Sequence, residues 1–224
     1  RFSLVLPPSG GYRKLVSFQV AELLYDMTVR FVDRYIPAGS RTWDQMEQSA
    51  RSGVRNIAEG SVISATTKKL EMNLTNVARA SLDELKSDYE SFLTQCKLPI
   101  WPERDLRRYE LTKLRCKNAD ELAHWVRSVW LREREYRLAQ PPGPSTARTP
   151  EEPQQRAYAE ISANVGQALC IVTLDLLDKQ VNSQAREFEK EGGFSERLYQ
   201  VRKAVRDGRD LRDWSARGAW GPVR

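Results

Sequence analysis

Histidine, cysteine and carboxylate side chains carry most acid–base and metal chemistry, and in this chain they are sparse or scattered. The single histidine, His124, stands beside Trp125, and no serine or cysteine lies at a spacing that would make it the base of a triad. Cys96, Cys116 and Cys170 are too few and too dispersed for a zinc site or a disulfide framework, which fits a reducing, cytoplasmic setting. Neither Gly-x-x-x-x-Gly-Lys-Ser/Thr nor Gly-x-Gly-x-x-Gly occurs, so no nucleotide fingerprint is present. A two-iron site in a helix bundle draws on paired Glu-x-x-His motifs, which one histidine cannot supply. The expectation is a protein that is not an enzyme and carries no metal or cofactor.

Arginine is the residue type left with something to do. Arg104, Arg108 and Arg115 recur at spacings of four and seven, on one face if residues 103–116 are helical. Arg202, Arg206 and Arg209 repeat that pattern near the C-terminus, followed by Arg212, Trp214, Arg217 and Trp220. Arginine fits phosphate bidentately and tryptophan stacks on unpaired bases, so both stretches are candidates for nucleic-acid contact. The competing reading is a solvated helix face paired with glutamates. Net charge is +6, and the surplus sits late: +3 over residues 101–140, −3 over 150–190 and +3 over 191–224. That pattern permits a polyanionic partner without requiring one.

The elements that must position these residues read as helices throughout. The 224 residues are 40% hydrophobic and 29% charged, a globular composition long enough for a substantial core. No apolar run approaches the roughly 20 residues of a bilayer helix, and Leu4 to Pro8 is too short for the core of a signal peptide. The start Arg1-Phe2-Ser3, with no methionine, reads as trimmed. Val16, Val20, Leu23, Met27 and Phe31 share one helical face, widened by Leu15, Phe18, Leu24, Val32 and Ile36. A second helix is predicted from Ser40 or Thr42 to a terminal Gly60, and a third over 67–96 with Leu70, Leu74, Val77, Leu85, Tyr89 and Phe92 inward. Residues 103–138 read as one bent helix or two, with Asn118 and Glu121 forming a capping box. Residues 139–150 hold four prolines and form a linker. Beyond it lie a helix over 151–190, apolar almost all round from Ala168 to Leu177, and a last helix that Ser195 can cap.

Residues 45–60 read Q-M-E-Q-S-A-R-S-G-V-R-N-I-A-E-G. Gln45, Ser49, Ala50, Ser52 and the run Asn56, Ile57, Ala58, Glu59, Gly60 resemble the motif of the bacterial four-helix bundle proteins. That family includes proteins encoded in intervening sequences of ribosomal RNA genes and the accessory variability determinant of diversity-generating retroelements. Ala80, Ser81, Leu82, Glu84 and Leu85 match a second motif in the third helix. The resemblance covers about residues 12–138, and the later helices are similar to the suffix domain of one subset. Glu47 and Gln48 stand where family members often carry arginines. Physically, the small residues let two helix backbones approach, Asn56 is placed to hydrogen-bond a neighbouring backbone, and Gly60 to close the helix.

The resemblance implies an all-α, antiparallel up-down four-helix bundle over residues 1–138, followed by two additional helices and a basic tail within 151–224. It also implies a homo-oligomer, a pentamer in the retroelement accessory protein, acting as a non-enzymatic accessory or scaffold protein. Its partner would be RNA, a ribonucleoprotein or a reverse transcriptase, with no membrane. The alternative is a protein–protein interaction module with no nucleic-acid role. Contiguous positive charge over 104–115 and 197–217 favours the first, and interspersed ion pairs favour the second.

Overall fold

The computed structural model describes residues 11–64, 67–139, 152–191 and 194–207. They fold into seven α-helices and one short 3-10 turn at Tyr12–Lys14, with no strand among them. The helices are α1 (Val16–Tyr35), α2 (Arg41–Ile63), α3 (Lys68–Gln95), α4 (Leu106–Leu114), α5 (Ala119–Ala139), α6 (Glu152–Glu191) and α7 (Phe194–Arg206).

Local chemistry fixes most boundaries. α1 ends at Ile36, which is extended because Pro37 follows it. Gly39 then turns the chain at φ 73°, and the Ser40 hydroxyl accepts the Trp43 amide at 3.2 Å to cap α2. α3 closes through Lys97 at φ 51°, with the Leu98 amide donating to Leu93 O at 2.8 Å. At Arg115 the backbone is left-handed, φ 48°, so residues 103–138 are two helices rather than one. Asn118 opens α5 by accepting the Glu121 amide at 2.9 Å, and the Glu121 carboxylate returns to the Lys117 amide at 2.8 Å.

Two expectations about these elements need correction. α2 runs through Gly60 to Ile63, so Gly60 is a buried helical residue and not a left-handed terminus. A Cβ there would lie 3.4 Å from Glu71 O and 3.5 Å from Leu74 Cβ of α3, which is ordinary contact. The inward face of α3 is also rotated: Leu70 and Val77 are 38% and 48% exposed, while Glu71, Thr75, Ala78, Leu82, Leu85, Tyr89 and Leu93 point inward. Two polar residues tolerate that face because Gln184 meets both: it donates to Glu71 Oε1 at 2.9 Å and accepts from Thr75 at 3.3 Å.

The core is shared by α1, α2, α3 and α6. α2 packs along α3 and α1, and α6 packs along α3 and α1. Across α2 and α3, Ser49 meets Glu84 and Ser52 meets Ser81, an antiparallel register. α6 is antiparallel to both its neighbours. Lys68 binds Glu187 at 2.7 Å and Gln167 donates to Glu90 at 3.0 Å on the α3 side, while Ser17 donates to Gln180 at 2.8 Å from α1. Residues 151–190, expected behind the linker as a suffix, therefore contribute Ile161, Val165, Cys170 and Leu177 to the same core as Leu24, Met46, Ile57 and Leu82.

Contact with α1, α3, α4 and α5 explains why α6 is apolar on nearly every side. By length and composition the stretch Gln154–Lys190 could cross a bilayer, against the reading that no run qualified, and its apolar window of mean hydropathy 1.3 is 61% buried inside the protein. α5 presents Leu122, Trp125, Val126 and Val129 inward, and Trp130 stacks on Tyr158 of α6 at 5.2 Å. Tyr89 fills the core, and its phenol donates to Thr28, whose own hydroxyl is committed to Leu24 O.

Candidate interaction surfaces

Arg104, Arg108 and Arg115 do not form a stripe. Arg104 lies in the turn before α4, Arg108 is half-buried and donates to Trp101 O and Gln167 Oε1 at 3.4 Å each, and exposed Arg115 follows the helix. A different arginine organises this region. Arg107 stacks 4.2 Å from the Trp101 ring centroid, binds Asp105 at 2.7 Å and reaches Glu133 of α5. Arg132 of α5 binds Glu110 of α4 at 2.7 Å. Hydrogen bonding to Arg107 holds the Asp105 carboxyl below its ordinary range, and Arg132 does the same to Glu110. Spacing along the chain could not reveal these pairs, because both join α4 to α5.

α4 turns an apolar face outward. Leu106, Tyr109 and Leu114 are 76%, 57% and 53% exposed, with the Lys113 ammonium 4.5 Å from the Tyr109 ring centroid. On α7, Val201 is buried while Arg202, Lys203 and Arg206 are exposed. Arg209, Arg212, Trp214, Arg217 and Trp220 lie outside the described residues.

The 45–60 motif lies in the α2–α3 seam. Met46, Ala50 and Ile57 enter the core, and a Cβ on Gly53 would lie 2.7 Å from Leu82. Gln45 and Ala58 are half-buried, and Glu59 is exposed. Asn56 does not reach a neighbouring backbone. Its amide donates to Ser52 O at 2.8 Å and Ser52 Oγ at 3.1 Å, and Ser52 Oγ lies 2.9 Å from Ser81 Oγ. Asn56 thus ties a hydroxyl pair across the seam, which is a packing role.

His124 is exposed on α5, with Nδ1 2.7 Å from Asp120 O. Burial pushes the Cys170 thiol far above its ordinary range, away from thiolate chemistry. No group of three or more His, Cys, Asp or Glu side chains is placed to hold a metal among the described residues. Two clefts flank α5: one of about 500 Å³ toward α4, containing the Arg107 and Arg132 pairs, and one of about 760 Å³ toward α1 and α6. Comparison with family models, with curated proteins and with solved structures gives no match to this chain.

Proposed function

We propose that the chain is a non-enzymatic scaffold protein that associates with copies of itself and presents α7 to a polyanionic partner, RNA or an RNA–protein complex. In this reading α1, α2, α3 and α6 make an up-down four-helix bundle, with α4 and α5 as a long crossover on its outside. The observation that carries self-association is the outward face of α4. Three large apolar side chains stand in solvent there, beside arginines already matched to carboxylates. The apolar girth of α6 lends no support, since neighbouring helices of the same chain cover it. RNA contact rests on Arg202, Lys203 and Arg206, which are exposed and in no ion pair among the described residues.

Light scattering at micromolar concentration should give a mass well above 25.8 kDa, and Leu106→Glu with Tyr109→Glu should reduce it to that of one chain. A monomeric wild type rejects the scaffold. Fluorescence anisotropy with unrelated single-stranded RNAs should show affinity falling steeply with salt, since each neutralised phosphate releases counterion. Reversing the charge of Arg202, Lys203 and Arg206 should weaken all sequences alike.

The ion pairs of α4 with α5 favour a second reading, a protein–protein interaction module without nucleic acid, because they place paired charges among Arg104, Arg108 and Arg115 where a contiguous positive surface would be needed. Oligomers that bind no RNA even at low salt would select it.

A further inference from the structure

α5 crosses the seam between α1 and α6 and leaves beneath its N-terminal half the cleft of about 760 Å³, a size that suits a small molecule. Its lining is apolar and aromatic: Phe31, Leu122 and Val126 are buried, and Tyr35 and Tyr158 are half-buried. Tyr35 hydrogen-bonds Ser162 across the α1–α6 seam, and burial raises its phenol above the ordinary value.

The cleft's walls carry charge. Arg30 is satisfied by Asp120 at 2.6 Å. Arg34, one turn further along α1, lies 5.9 Å from the Tyr35 ring centroid, and Arg127 faces the cleft from α5. Neither Arg34 nor Arg127 forms an ion pair among the described residues, and Asp33 offsets one of the two charges. Two guanidinium groups, one from α1 and one from α5, at a cleft lined by aromatic rings match an acid group together with a flat apolar body. Macromolecular docking by α4 or α7 uses none of these residues.

We propose that the α1–α5–α6 cleft is a binding site for a small anion with a flat apolar body, clamped between Arg34 and Arg127. The probe is anilinonaphthalene sulfonate, titrated into the full chain by fluorescence and calorimetry. One dye should bind per chain, and uncharged N-phenyl-1-naphthylamine should bind at least about tenfold more weakly, because it leaves the charge-assisted hydrogen bonds unmade. Arg34→Gln with Arg127→Gln should weaken the dye about tenfold or more, and both changes are on exposed side chains that leave the core intact. Ala123→Trp, which fills the cleft from the exposed surface of α5, should abolish binding, while Arg104→Gln, outside it, should have no effect. Displacement by adenosine monophosphate or by naphthalene-1-carboxylate then separates a phosphate ligand from a carboxylate one. Dye binding insensitive to both the arginine and the tryptophan changes, equal binding of the uncharged dye, displacement by neither anion, or no binding at all would overturn the site.

Discussion

Gly166 sets how closely α6 can lie on α3. A Cβ at this position would sit 2.3 Å from Tyr89 Cζ and 2.6 Å from both adjoining ring carbons. The ring has little freedom to yield. It is fully buried, its hydroxyl is hydrogen-bonded to Thr28, and it packs edge-on against Phe31 at 5.0 Å. Gly166→Ala gains about 1 kcal/mol of helix propensity. The overpacking it creates costs about 1–3 kcal/mol, so a net loss of stability is expected in thermal melts. A higher melting temperature would mean that the ring moves aside freely. The sequence marks this position only as a glycine inside a helical pattern, an exception that asks for a reason without naming one. At Gly60 the same residue type reads as a helix end, yet α2 runs through it, and a Cβ there would make only ordinary contacts with α3.

α4 is too short to persist by its own propensity, so its ends and its pairs to α5 must hold it. Asp105 does two of these jobs: its Oδ1 accepts the Arg107 amide at 2.9 Å, and its Oδ2 binds the Arg107 guanidinium. Asp105→Ala should destabilise by about 1 kcal/mol through the lost cap. Asp105→Asn keeps a cap acceptor and removes the charge, which isolates the ionic part. Because the folded carboxyl titrates below its ordinary value, that part is fully present above the unfolded pKa and is lost as pH falls through the folded one. Denaturant melts of wild type and Asp105→Asn should therefore differ at pH 7 and converge below about pH 4. A gap that widens on acidification would refute this assignment. Helix existence at this scale was legible from spacing and caps, as Ser40 and Asn118 show. The face of α3 was not, because Glu71 and Thr75 look solvent-bound until Gln184 is known to meet them.

At the scale of the whole molecule, α6 occupies the place beside α1 and α3 that residues 103–138 were expected to fill. Its buried Ile161, Val165 and Leu177 lie in one core cluster with residues of α1, α2 and α3. A chain ending at residue 139 would leave that face of α1 and α3 in water. Such a fragment should lack the sharp thermal transition of the full chain, and its far-ultraviolet helix signal should melt gradually or not form. A cooperative melt from the fragment would show that residues 1–138 fold alone and that α6 is an appendage.

The sequence by itself determined that the chain is helical and where most helices start and stop. Those properties depend on neighbours within a few positions: apolar spacing, a capping hydroxyl or amide, a proline after the last turn. Tertiary structure decided which helix completes the core, that Arg107 and Arg132 are spent on carboxylates of a neighbouring helix, and that Arg34 and Arg127 share a cleft. The physical reason is common to all three. Helix pairing and ion pairing are set by distances across the fold, and residues 34 and 127 or 107 and 133 carry no mark of their meeting until the helices are packed.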